Sequence, residues 1–134
     1  MVVTLEFLQG IIRDQGGKLS FGLDDELARL LESGGKVANR WVLAPAAIRA
    51  MDVELGNTID TDVYALIGAW QASSLRARET EAIISRVREI MRAIQTTPRP
   101  AAIAQLILDS EIEIEWSESE LFVKATITSR EVTS

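Results

Sequence analysis

The chain contains neither cysteine nor histidine. Without cysteine there can be no disulfide framework and no thiolate metal site. Without histidine it lacks the commonest general base, the commonest transition-metal ligand and the usual partner of a serine nucleophile. Carboxylates, lysine, one tyrosine and hydroxyls remain for chemistry, and enzymes built on such a set usually hold magnesium through carboxylates. Glycine offers no phosphate-binding loop either. Gly16-Gly17 and Gly34-Gly35 are isolated pairs, and neither has the GxxxxGK[ST] or GxGxxG spacing that cradles phosphate. No apolar run approaches the roughly 20 residues needed to span a bilayer. No basic residue precedes Arg13, so the start does not read as a signal peptide, and a protein made in a cytoplasm is expected.

What is present suits one globular domain over residues 1–134, with 47% hydrophobic residues. The net charge of −6 argues against general nucleic-acid binding, which calls for a basic surface. The charge is also segregated. Residues 76–99 carry six arginines against three glutamates, whereas residues 109–120 carry six acids and no base.

Periodicity predicts the elements. Thr4 to Asp14 carries Leu5, Leu8 and Ile12 on one helical face, with Thr4 as the candidate N-cap and Gly16-Gly17 as the stop. A second short helix is expected from Asp24 to Ser33, capped by Asp24. Trp41 to Leu43 reads as strand, with a bend or edge position at Pro45, and Met51 to Leu55 alternates as a strand although a helix from Pro45 fits nearly as well. Asp62 to Ala72 is apolar on both faces, as expected of a central strand covered by a helix and by a neighbouring subunit. The strongest helix runs from about Arg76 to Gln95, with Ile83, Ile84, Val87, Ile90, Met91 and Ile94 on one stripe. Pro100 would open a short helix through Ile107. Two alternating segments, around Ile112–Trp116 and Leu121–Ile127, predict a closing hairpin. The expected fold is α+β: a small antiparallel or mixed sheet packed by one long amphipathic helix, with N-terminal helices and a C-terminal β-hairpin.

Each candidate site has an ordinary alternative. Asp60 and Asp62 could hold a divalent cation, but a solvated loop ahead of a strand explains them with fewer assumptions. Asp24 and Asp25 suit a helix start. Trp41, Trp70 and Trp116 suit a core. Glu111, Glu113, Glu115, Glu118 and Glu120 form an acidic stripe, read either as a soluble sheet face or as a surface that repels DNA or attracts a basic partner. Arg76, Arg78, Arg86, Arg88 and Arg92 form the matching basic helix. They are read either as a solvated face or as one half of a head-to-tail contact with the acidic stripe of the next copy. Arginine outnumbers lysine eleven to three, a bias that suits interfaces. No catalytic residue, metal or cofactor is expected.

The segment VYALIGAWQASSLRARETEAIISRVREIMRAI, followed by LILDSEIEIEWSESELFVKATITSREV, resembles the tail terminator (tail-completion) proteins of tailed bacteriophages. The resemblance covers the second half of the chain closely and the first half loosely. It implies a non-enzymatic structural protein of the virion neck, forming a homohexameric ring that caps the tail tube and joins it to the head–tail connector. Its partners would be copies of itself, the tail tube protein and neck proteins, with DNA passing through unbound and no membrane involved. The acidic stripe would then line the lumen, and the arginine helix with Trp70 would make subunit contacts. The alternatives are another head–tail adaptor or an acidic, dimeric chaperone of the type III secretion class. A carboxylate–magnesium nucleotide hydrolase is disfavoured, because the acids lie on a strand and in caps.

Overall fold

The structure, a computed structural model, describes residues 2–21, 40–48, 52–54, 57–71, 77–116 and 120–133. The chain opens with helix α1, Val2–Asp14, whose Leu8, Ile11 and Ile12 are buried at helical spacing. Gly16 ends it. With φ at 80°, Gly16 takes the left-handed conformation, its amide donates to the Arg13 carbonyl, and the Gly17 amide reaches back to Ile12. That pair of bonds is a Schellman closure, which favours glycine at this position. Thr4 is not the N-cap expected from the sequence, since the helix begins two residues earlier.

Among the described residues seven strands follow in one mixed sheet: β1 Lys18–Phe21, β2 Arg40–Ile48, β3 Asp52–Glu54, β4 Asn57–Gln71, β5 Ile103–Leu108, β6 Glu113–Trp116 and β7 Glu120–Thr133. Helix α2, Ala77–Thr96, lies between β4 and β5 in the chain. The expectation of a small sheet packed by one long helix is therefore corrected. Among the described residues the protein is predominantly sheet, with two helices. The second helix expected at Asp24–Ser33, including Asp25, lies outside the described residues.

The sheet is built around two long antiparallel strands, β4 and β7, which stay in register from Thr58↔Thr133 to Gln71↔Glu120. The other strands flank this pair. β2 and β3 share the outer edge of β4, β5 and β6 share the outer edge of β7, and β1 runs parallel to β2. A register shift falls between Pro45 and Ala47 of β2, past the four residues that pair with β1, an irregularity of the kind that accommodates a proline in a strand.

Both helices contribute to one core on one face of the sheet. Leu8 and Ile12 of α1, with Ile83, Val87, Ile90 and Ile94 of α2, close over the inward residues of β2, β4 and β7. Burying the α2 stripe alone contributes on the order of 8–15 kcal/mol before conformational entropy is subtracted. Trp41 and Trp70 stand edge to face within this core, ring centroids 5.7 Å apart and planes at 84°. The opposite face, here called the outer face, carries a smaller cluster of Val42 and Ala69 with Phe122 packed on it.

Two further expectations change. The helix predicted from Pro100 is a turn followed by strand β5. Ile103, Leu106 and Ile107 fit a helical spacing, but β7 offers an open edge and captures the segment, with Ile107 opposite Thr128 and Leu108 opposite Ile127. The second half of the chain also has a two-threonine stop: Thr96 and Thr97 hydroxyls donate to the Arg92 and Ala93 carbonyls ahead of Pro98. Asp60 and Asp62, expected in a loop, lie inside β4, which begins several residues earlier than predicted.

Candidate functional site

The acidic segment and the basic helix occupy different faces. β6 pairs with the end of β7 through Glu113↔Lys124, Ile114↔Val123, Glu115↔Phe122 and Trp116↔Leu121. Strand alternation thus points Glu113 and Glu115 to the outer face, beside Lys124 and Phe122. Ile114 and Trp116 point to the helix-covered face. All four residues of β6 are exposed, Ile114 at 49% and Trp116 at 55%. Glu113 lies 3.8 Å from the Lys124 ammonium, an exposed pair of little energetic weight. Glu111 is exposed just ahead of β6, its amide donating to Asp109 at 3.2 Å. Glu120 begins β7 opposite Gln71, half-buried. Glu118 lies outside the described residues, as does Arg76.

On α2, Arg78, Arg88 and Arg92 are exposed, and Arg86 is half-buried and engaged. The helix sits across the sheet from Glu113 and Glu115, so these two carboxylates face away from the described arginines of α2. Trp70 is removed from the candidate contacts: it is 1% exposed and belongs to the core, like Trp41. Of the three tryptophans, only Trp116 departs from the expected core position.

A groove of about 280 Å³ runs between α2 and the β6 edge, with Ile84, Val87, Ile112, Ile114 and Val123 forming apolar walls and Arg88 at its rim. At the far edge of the sheet, β1 exposes Lys18 and Phe21, the latter 39% exposed, and β2 exposes Arg40 alongside Lys18. This edge was missed in the sequence. Its signal is the four-residue alternation Lys18-Leu19-Ser20-Phe21 after the glycine stop, too short to stand out between two helical patterns.

One polar cluster lies deep under α1. Glu131 of β7 accepts from the amide of Thr4 at 2.8 Å and from the Thr4 hydroxyl, which also meets Ser129 Oγ at 2.6 Å. Burial on its own would raise the Glu131 carboxyl. Hydrogen bonds, including those from Thr4, more than offset this and hold it below the ordinary glutamate value. Nearby, the Tyr64 hydroxyl donates to Asp62 at 3.3 Å. Burial, with the negative charges of Asp62 and Glu131, pushes the Tyr64 phenol far above its ordinary value. The cluster is closed by its own bonds, and among the described residues no group of three acids is placed to hold a metal. No described helix is long and apolar enough to cross a membrane. Neither a family model nor a curated protein matches the chain.

Proposed function

We propose that the chain is a structural subunit that assembles with copies of itself into a ring, acting as a tail terminator or neck component of a tailed bacteriophage. In that role it would cap the tail tube and join it to the head–tail connector, without catalysing a reaction. One observation carries the reading: β6 is, among the described residues, an edge strand whose four residues are all exposed, with Ile114 and Trp116 on one side and Glu113 and Glu115 on the other. An unpaired strand edge with large apolar side chains invites association, and proteins that must stay monomeric usually blunt such an edge. Among the described residues β1 forms the other edge of the sheet, so each copy offers two different surfaces, the requirement for a head-to-tail ring.

Glu111, Glu113 and Glu115 supply the negative charge that would keep passing DNA from adhering in the lumen. The test is mass in solution by light scattering over a range of protein and salt concentrations. A hexamer, or a monomer that becomes a ring as concentration rises, is the expected result. A tight dimer at every concentration, as for a secretion chaperone, overturns the reading. Reversal of Glu111 to lysine, which leaves the β6 strand unaltered, tests the lumen: rings should then retain DNA that the native ring releases.

A further inference from the structure

The pairing register aligns β1 and β6, edge strands among the described residues, at one level of the sheet. A continuous row runs Leu19–Trp41–Gly68–Val123–Ile114, from β1 through β2, β4 and β7 to β6. The next row runs Ser20–Val42–Ile67–Lys124–Glu113. Each row therefore starts in β1 and ends in β6. Direction agrees as well. β1 is parallel to β2, and β2, β4, β7 and β6 are successively antiparallel, so β1 and β6 run in opposite directions.

Resting on the ring reading, we propose that β1 of one copy pairs antiparallel with β6 of the next, Leu19 opposite Ile114, so that one sheet continues from subunit to subunit. In this register Ser20 faces Glu113 and Lys18 faces Glu115. Faces match without a slip. Leu19 and Phe21 share the helix-covered side with Ile114, and Lys18 and Ser20 share the outer side with Glu113 and Glu115. Charge matches too: the β1 edge presents the exposed cations Lys18 and Arg40, and the β6 edge presents two exposed carboxylates. Phe21 arrives opposite Ile112, at the mouth of the groove between α2 and β6, where an aromatic ring meets apolar walls and the Arg88 guanidinium. The neighbour's cations on this seam are thus Lys18 and Arg40, not the α2 arginines. The contact joins two different edges, so it propagates head to tail and closes when the rotation per subunit permits.

A chain without cysteine makes the test direct. Directly opposed residues in an antiparallel ladder have Cα atoms about 4.5–5.5 Å apart, within disulfide range. A double variant, Ser20→Cys with Glu113→Cys, should form on mild oxidation a covalent ladder ending at the ring size, while each single variant stays uncrosslinked. Lys18→Glu and Glu115→Lys should each weaken assembly roughly fivefold, and their combination should restore it. Both side chains are exposed, so neither change threatens the fold. Rings that form without the ladder and without rescue by the charge swap overturn this seam while leaving the ring standing. Dimers of Ser20→Cys alone overturn it in favour of a symmetric contact. A chain monomeric at every concentration overturns the seam and the ring together.

Discussion

Glu131, near the end of β7, accepts hydrogen bonds from both the amide and the hydroxyl of Thr4 in the first turn of α1. The two residues are 127 positions apart, yet together they start the helix. The first turn of α1 contains no acid of its own, so a strand supplies the negative charge that the exposed amides and the helix dipole call for. The same contact ties the first element of the fold to the last.

Glu131→Gln should therefore destabilise the protein by about 1.5–3 kcal/mol at neutral pH, the range for a hydrogen bond to a charged group. The sign of the pH effect follows from the lowered carboxyl. The contribution is complete above the unfolded glutamate value and disappears as pH falls through the folded one. Urea melts of the two proteins should thus converge under acid conditions, and a constant gap down to the lowest pH would exclude the carboxylate as the cause.

Gly68 sits in β4 beneath the Trp41–Trp70 pair. A Cβ there would lie 2.6 Å from Trp70 and 2.9 Å from Trp41, closer than real contacts allow. The rings can yield only by disturbing a close-packed core. Gly68→Ala should cost about 1–3 kcal/mol in chemical denaturation and alter the near-ultraviolet circular dichroism of the tryptophans. An unchanged spectrum and midpoint would show that the pair is free to move.

Local pattern was a good guide where one face decides the structure. The α2 stripe, the alternation of β7 and the turn at Gly16 could all be read directly, since each depends on neighbours three, four or two positions away. Long-range pairing could not. Ile103 to Leu108 scans as a helix as easily as a strand, and only the free edge of β7 settles it. The β1 edge, four residues long, takes its identity from β2 beyond it. The same limit applies to the candidate contacts. Charge segregation singled out two segments, but which face each charge occupies depends on strand register. Register set Glu113 and Glu115 away from the α2 arginines and left Lys18 and Arg40 at the opposite edge.

The single tyrosine gives a clean optical reporter. Tyr64 is buried and its phenol is held neutral well above the ordinary tyrosine range. Its contribution to stability is complete below the unfolded value near 10 and is lost as pH rises toward the folded one. Tyrosinate absorbance should therefore be missing from the native protein at pH 10–11 and appear only together with unfolding. A simple titration near pH 10, with the fold intact by circular dichroism, would place the phenol in water.

Trp116 separates assembly from folding. Trp41 and Trp70 are each 1% exposed, so quenching by acrylamide in the isolated chain should come almost entirely from Trp116. In the proposed seam Trp116 falls opposite Gly17 of the next copy, where the glycine leaves room for an indole. Assembly should then suppress quenching as concentration rises, in step with the scattering mass. Trp116→Glu should leave the denaturation midpoint of the monomer within about 0.5 kcal/mol, as for an exposed site. It should also weaken association by about 2 kcal/mol, roughly thirtyfold in Kd. If quenching stays constant while the mass grows, the ring is built elsewhere on the molecule. If the variant unfolds early, Trp116 belongs to the fold and the exposed β6 edge loses its claim to be a docking surface.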